Sequence, residues 1–442
     1  MNGTVIPYAG PFSTITPSLS PAFIAVDHAA AYANDLIGDR RDVEYGGFLL
    51  SKDDQYYATL PVRSEGYLFR PDSVLSKGLS GDILPPEGYV IEGMYHSHVV
   101  FPRPLLMLVS ESDLQENFFS LMDLRTAIAF RHNYPRFYLA TPDKSLICYV
   151  STDSAQERAL QPLLMLVHSG VPGHLEQSYP TGLFLPSHLL SMVYIAGEFS
   201  VVKAGSFWRR RGRIGADWQA QRDAIPRLAD QPPLCSPVFD TLSAAAQFAH
   251  TQMQTRPGVQ HAGFILKQGQ RAAYLCTRPQ VARYAEFDRP VVFARDIHGM
   301  PQLPAGYQVV GVYHSADEQR APLAAAQSAV GNDFFSPDNI FDGLMLMRAT
   351  LGLRVYFSAP QGALLSYRRT SVEAESALLE RVTRVDAASS GLEQDLVSGR
   401  LPAIGFVHQV AAAGRLEVMV TDAVWAQAGR VTSQWQPGAT VG

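Results

Sequence analysis

The sequence Gly93-Met94-Tyr95-His96-Ser97-His98 has the pattern of a strand that ends in two histidines. Side chains alternate between the two faces of a strand, so His96 and His98 project to the same side and can reach one metal ion. Downstream, Asp123 follows Ser120 at the spacing of the first turn of a helix, which brings both side chains to the helix N-terminus. The pattern predicts that His96, His98 and Asp123 are the protein ligands of Zn²⁺.

A catalytic zinc site also needs a base that accepts a proton from water. Glu44, in the sequence Glu44-Tyr45-Gly46-Gly47, is the upstream carboxylate that fits this role. The Ser120 hydroxyl is the candidate donor to the oxyanion that forms during amide hydrolysis. Two alternatives stay open. Asp113 also lies three residues after a serine and competes with Asp123 as the third ligand. Ser120 and Asp123 alternatively form a capping box that only stabilises the start of a helix.

The order Glu, His-x-His and Ser-x-x-Asp resembles the JAMM metallopeptidases, which have the MPN-domain fold. In that family seven residues separate the second histidine from the serine, whereas 21 residues, 99–119, separate His98 from Ser120 here. A closer resemblance is to the JAMM-like domains of bacterial Rhs-type polymorphic toxins, which combine Glu-Tyr-Gly-Gly, Tyr-His-[Ser/Thr]-His, a longer insertion and Phe-Ser-x-x-Asp. The resemblance covers roughly residues 21–150. It implies a zinc enzyme that cuts peptide or isopeptide bonds in a protein substrate, including conjugates of ubiquitin-like modifiers.

Much of the first half of the chain recurs about 217 residues later. Gly311-Val312-Tyr313-His314-Ser315 repeats the strand of His96 at an offset of 218, and Phe334-Phe335-Ser336 repeats Phe118-Phe119-Ser120 at an offset of 216. A near-constant offset over this length indicates a tandem duplication. We therefore predict two α/β domains, residues 1–225 and 226–442, each a mixed sheet flanked by helices. By the resemblance, both are JAMM/MPN-like, and together they form an internal pseudo-dimer.

The second copy lacks most of the predicted metal site, although His314 and Ser336 are retained. Its substitutions are Gln260 for Glu44, Ala316 for His98 and Asn339 for Asp123. Glutamine cannot act as a base, alanine cannot bind a metal ion, and asparagine is a weaker ligand than aspartate. We expect zinc in the first copy only. The second copy is then a scaffold or substrate platform, as in paired MPN domains.

Other local patterns give the surrounding elements. The sequence predicts a linker or a domain boundary over residues 226–237, which hold four prolines. A polar stretch leads to Phe118. The predicted helices and strands around the first motif are a helix over 21–37, strands over 46–50, 56–61 and 89–91, a helix over 120–130, and strands over 137–140 and 145–150.

Composition excludes several classes of protein. The chain has 442 residues, of which 47% are hydrophobic and 17% charged, which excludes a disordered chain. A net charge of -5 gives no attraction to nucleic acid or to an anionic membrane. Three cysteines are too few for a disulfide framework, so a reducing compartment is expected. Without a signal peptide or a membrane-length apolar run, we expect a cytoplasmic protein, with delivery by a secretion system as the alternative.

A function of a different class also stays open. In this alternative neither copy is catalytic, and the protein is a duplicated JAMM-like binding or adaptor protein associated with a toxin or secretion system. The feature that separates the two hypotheses is the combination of Glu44 with His96, His98 and Asp123, because a scaffold does not need these four residues together.

Overall fold

The chain divides into two compact units, Met1–Arg227 and Leu228–Gly442. Each unit has one mixed sheet of eight strands flanked by helices, which confirms the prediction of two α/β sheets. Among the described residues, no helix is both long and apolar enough to cross a membrane. The computed structural model describes residues 15–65, 69–78, 82–100, 107–164, 175, 184–216, 218, 232–255, 259–269, 271–281, 292–294, 301–316, 325–350, 352–383 and 391–438.

The sheet of the first unit has the strand order β10-β9-β8-β7-β6-β1-β2, with β3 also paired to β1. Strands β6 and β7 are parallel, and the other described neighbours in this sheet are antiparallel. A separate hairpin joins β4 to β5. The elements are α1 (Val26–Ile37), β1 (Tyr45–Lys52), β2 (Gln55–Ala58), β3 (Val62–Arg63), β4 (Ser76–Lys77), β5 (Ile83–Leu84), β6 (Val90–Ser97), α2 (Val109–Glu116), α3 (Leu121–Ala129), β7 (Arg136–Ala140), β8 (Leu146–Val150), α4 (Ala155–Leu160), α5 (Pro186–Ala196), β9 (Glu198–Lys203) and β10 (Gly212–Arg213).

The second unit repeats this topology. Its sheet has the order β18-β17-β16-β15-β14-β11-β12, with β13 on β11, and its parallel pair is β14 with β15. The same order of strands in both units is what a tandem duplication predicts. The elements are α6 (Leu242–Gln254), β11 (His261–Gln268), β12 (Tyr274–Cys276), β13 (Gln280–Val281), β14 (Tyr307–Ser315), α7 (Ala325–Asn332), α8 (Pro337–Ala349), β15 (Arg354–Ser358), β16 (Leu364–Arg369), α9 (Val372–Thr383), α10 (Gly391–Val397), α11 (Ala403–Ala413), β17 (Gly414–Val420) and β18 (Gly429–Arg430).

Matching hydrogen bonds fix β6 and β14 against their neighbours. In the first unit the Tyr95 hydroxyl donates to the Thr59 carbonyl at 2.5 Å, and the Thr59 hydroxyl accepts from Phe48 N at 2.9 Å. In the second unit the Tyr313 hydroxyl donates to the Thr277 carbonyl in the same way. These buried bonds lie on the face of the sheet opposite to the histidine, so they hold the strand without occupying the site.

An aromatic core lies on the face of the first sheet that also carries His96, and it supports the segment before α3. The Trp208 indole is fully buried, and its Nε1 donates to the Asn117 carbonyl at 2.7 Å. In the second unit Trp425 donates to the Asp333 carbonyl at 2.9 Å. The rings that pack together around Trp208 are Phe118, Phe199, Phe207 and Trp218.

One sequence prediction is corrected and two are refined. The first helix begins at Val26 and not at Pro21, because Phe23 pairs with Tyr56 as an extended residue at the sheet edge. Within the predicted polar stretch, α2 occupies most of residues 107–117. The division between the two units falls after Arg227, within the segment 226–237 that was predicted as a linker or a domain boundary. Ser236 N donates to the Cys276 carbonyl at 2.8 Å, so the described residues from 232 onwards belong to the second unit.

The two units differ in the carboxylate that caps the turn before their buried tryptophan. In the first unit the Asp143 carboxylate accepts from Phe207 N at 2.7 Å and from Trp208 N at 3.4 Å. A Cβ on Gly205 would lie 2.6 Å from this carboxylate, so only glycine fits there. In the second unit Asp422, which stands at the position of Gly205, accepts from Val424 N and Trp425 N. The carboxylate has therefore changed its position in the chain while keeping its backbone donors.

This change places the Asp422 carboxyl group beside a second, buried carboxyl group in the second unit. Asp333, at the position of Asn117, is buried beside Asp422, and burial together with a hydrogen bond to Asp422 raises the pKa of Asp333. A raised carboxyl pKa means that the folded state binds more protons than the unfolded state. The stability of the second unit is therefore expected to fall as pH rises above the ordinary aspartate pKa of about 3.9.

Asp333→Asn, which installs the residue of the first unit, is expected to remove this pH dependence. The difference in unfolding free energy between variant and wild type should grow by about 1.4 kcal/mol for each unit by which the folded-state pKa is raised. Urea unfolding between pH 4 and pH 9 measures it. Equal pH dependence in the two proteins would contradict a raised pKa of the buried Asp333 carboxyl group beside Asp422.

Candidate metal centre

The two histidines lie where β6 ends beside its parallel neighbour β7. His96 pairs with Leu139 in the register of the two strands, and His98 N donates to the Ala140 carbonyl at 3.3 Å just beyond them. The carboxyl ends of adjacent parallel strands form a common edge where ligands bind in many α/β proteins. The alternation of side chains along β6 brings both imidazoles to the same face, with ring centroids 5.4 Å apart.

The N-terminus of α3 supplies the carboxylate. Ser120 is the N-cap residue, and its hydroxyl accepts from Asp123 N at 3.1 Å. The Asp123 carboxylate in turn accepts from Ser120 N at 2.8 Å, which completes a capping box. The predicted capping box is therefore present, and it fixes the orientation of Asp123 without preventing its carboxylate from reaching the histidines.

The three side chains converge. The Asp123 carboxylate is bridged between the two imidazoles, with one oxygen 3.1 Å from His96 Nε2 and the other 2.9 Å from His98 Nε2. One ligand atom from each residue lies within 4.8 Å of the others. Ligand atoms in a tetrahedral zinc site are about 3.3 Å apart, given bonds of about 2.0–2.1 Å. The nitrogen and oxygen donors and their separations therefore fit a divalent metal ion such as Zn²⁺.

The surroundings of His96 provide an independent test of this fit. The ring is buried, yet neither of its nitrogens has a hydrogen-bond partner among the described residues, because the contact with Asp123 is not aligned as a hydrogen bond. Nε2 instead faces the Asp123 carboxylate, 3.1 Å away. A metal ion between these two groups would give each of them a well-aligned partner, which fits a metal site.

The charges of the site stabilise one another. Burial by itself would lower the pKa of His96, but the carboxylates of Asp123 and Glu44 outweigh this effect and raise it. Burial would likewise raise the pKa of Asp123, but both imidazoles hold it well below its ordinary value. Asp123 is therefore ionised at neutral pH, which is the form that binds metal ions.

Glu44 lies beside this group but is not one of its three members. Gly46 pairs with His96 across β1 and β6, so the register continued by two residues sets Glu44 opposite His98 on the same face. One carboxylate oxygen accepts from Phe69 N at 2.9 Å. Burial raises the pKa of Glu44, an effect that the two histidines oppose. A carboxylate near the ligands with a raised pKa has the properties of a general base.

The structure also places the remaining candidates. Asp113 lies in α2 and is not part of the group of ligand atoms, whereas Asp123 is. Ser120 is exposed at the N-cap, and its hydroxyl hydrogen stays available because the oxygen acts as the acceptor in the capping box. Sequence reasoning missed Phe69, whose contribution is a backbone N–H group and therefore leaves no trace in the residue type.

The second unit keeps the scaffold of the site but not its charges. Ser336 caps α8 through the same capping box, with Asn339 N donating to the Ser336 hydroxyl at 3.1 Å. His314 is buried, and burial lowers its pKa to about 3, an effect that a hydrogen bond with Asn339 only partly opposes. His314 is therefore neutral. Asn339 therefore supplies no negative charge at the position where Asp123 supplies one in the first unit.

No family model, curated protein or solved structure matches this chain. The geometry of the site and the differences between the two units are the observations that bear on function.

Proposed function

We propose that the first unit is a zinc-dependent hydrolase that cleaves a peptide or isopeptide bond in a protein substrate. The observation that carries this proposal is the convergence of His96, His98 and Asp123 beside a fourth residue, the acidic Glu44, that is not itself part of the ligand group. Three protein ligands, which leave one position for water or substrate, are typical of catalytic rather than structural zinc sites. The second unit serves as a metal-free scaffold or substrate platform.

In this proposal His96, His98 and Asp123 hold the metal ion, which would supply Lewis-acid activation of water and of the scissile carbonyl. Glu44 removes a proton from the attacking water and delivers it to the leaving amine. Its hydrogen bond to Phe69 N holds one oxygen, so the other is the one that handles the proton. The Ser120 hydroxyl donates to the developing oxyanion.

The class of substrate comes from the resemblance to JAMM enzymes, which act on protein amides, including conjugates of ubiquitin-like modifiers. The uncharged residues Gln260 and Asn339 occupy the positions of Glu44 and Asp123 in the second unit. This difference supports the proposal that only the first unit is catalytic. A duplicated binding protein is the competing function, and a measurement of metal content separates the two.

Elemental analysis of the purified protein is expected to give about one zinc per chain, which His96→Ala with His98→Ala should abolish. His314→Ala is the matched control, because it removes the corresponding histidine of the second unit and should leave the zinc content unchanged. Protein that takes up no zinc, even when the metal is added, would favour the binding-protein alternative.

A further inference from the structure

Among the described residues, the carboxylate of the proposed base Glu44 accepts one hydrogen bond, which the Phe69 N–H donates to one of its oxygens. Phe69 lies 25 positions further along the chain, beyond β3. Its N–H group stays near Glu44 only if Phe69 is held against the sheet.

Gly46 provides the surface on which Phe69 rests. It lies in β1 between His96 on one side and Val62 on the other. A Cβ at Gly46 would lie 2.4–2.7 Å from three atoms of the Phe69 ring, closer than real carbon atoms approach. The ring therefore lies directly on the glycine backbone, on the same face as Glu44 and His96, and it also packs near Phe48 at a centroid distance of 6.4 Å.

The second unit shows that the sheet itself does not require this glycine. Ala262 occupies the position of Gly46, with the same pairing to the histidine strand, opposite His314. The base is also absent there, since Gln260 replaces Glu44. Glycine in a strand interior is less favourable for folding than alanine. Gly46 therefore occurs in the unit that has Glu44. The second unit, which has Gln260 instead, has the more favourable alanine at this position.

We propose that Gly46 and Phe69 are positioning residues for Glu44: the Phe69 ring, seated on the glycine backbone, holds the Phe69 N–H where it orients the carboxylate toward the metal ligands. This inference rests on the proposed function for its catalytic meaning. The hydrogen bond itself is a property of the folded chain and can be measured without substrate or metal.

The test is a double-mutant cycle with two readouts, amide hydrogen exchange at residue 69 and amide hydrolysis by the zinc-loaded protein. Gly46→Ala displaces the ring and Phe69→Ala removes it. Each change is expected to accelerate exchange at residue 69 by about 10-fold or more and to lower kcat by about 10–100-fold, because small misplacements of a catalytic group are costly. The zinc content should not change.

In the double variant the added methyl group has no ring to displace, so Gly46→Ala should have no further effect in the Phe69→Ala background. Phe69→Ala removes only a half-buried ring, so it is expected to fold. If Gly46→Ala does not fold, hydrogen exchange at residue 69 can still be measured in Phe69→Ala. Ala262→Gly, in the second unit, is the matched control and should alter neither readout. Glu44→Ala should accelerate exchange at residue 69 as strongly as Phe69→Ala, since it removes the acceptor.

The outcomes are separable from those of the proposed function. Unchanged exchange at residue 69 in Phe69→Ala, or independent and multiplying effects of the two changes, would overturn the inference. If the wild type holds zinc but cleaves no amide while the exchange pattern appears as expected, the positioning contact stands and the proposed hydrolase activity fails.

Discussion

Asp123→Asn is expected to weaken zinc binding by a factor of at least about 100, because it removes the charged ligand that bridges the two histidines. Even mutation of residues that only hydrogen-bond to metal ligands lowers metal affinity by about 10–100-fold. The fold should survive the substitution. Asn339 forms the same capping box in the second unit, where its side-chain oxygen accepts from Ser336 N at 3.2 Å. Loss of metal would therefore report on ligation and not on the stability of α3.

Competition with a chromophoric chelator measures the affinity, and thermal unfolding of the metal-free proteins checks the helix. Asn339→Asp in the second unit is the matched control. It should create no second zinc site, because Ala316 still stands where His98 is needed. Wild-type affinity in Asp123→Asn would mean that another carboxylate is the third ligand, and Asp113→Asn would then be the next variant to measure.

Glu44→Gln is expected to lower the rate of amide hydrolysis by about 10²–10⁴-fold while zinc stays bound, because the amide keeps the shape of the side chain but cannot accept a proton. Glutamine is also the residue of the second unit, where Gln260 is buried in the corresponding place. The substitution therefore tests base catalysis within a scaffold that is known to accept it.

The measurement pairs single-turnover hydrolysis with zinc content on the same sample. Gln260→Glu is the control, and it should add no activity because the second unit lacks two of the three ligands. Loss of zinc from Glu44→Gln would instead make Glu44 a ligand. Full activity in this variant would remove Glu44 from the mechanism and leave proton transfer to another group.

The part of the site that could be predicted from sequence is the part encoded by local periodicity. His96 and His98 share a face because strands alternate, and Asp123 lies at a helix start because Ser120 caps it. That Asp123 lies close to His96 and His98 could be predicted only from the order of the motifs along the chain. The internal repeat favours Asp123 over Asp113, because Ser336 and Asn339 keep the spacing of Ser120 and Asp123, and the structure places Asp123 with the histidines.

The parts that were missed have physical reasons. Helix α2 is short and mostly polar, with only Ser112 and Leu114 buried, so it has little helical periodicity to detect. The start of α1 was placed too early because the extended pairing of Phe23 depends on a strand that is distant in sequence. The Phe69 contact is a backbone donor delivered by a loop, and side-chain identity carries no information about it.

The corner beside each buried tryptophan shows that the two halves are no longer interchangeable. Asp143 and Asp422 accept from equivalent backbone donors but stand at different positions in the chain, and in the first unit Asp143 fills the space that a side chain at Gly205 would need. A chimera formed by recombination between the repeats inside this corner would contain either both carboxylates or neither. We expect such chimeras to be less stable, which would preserve the differences between the two copies.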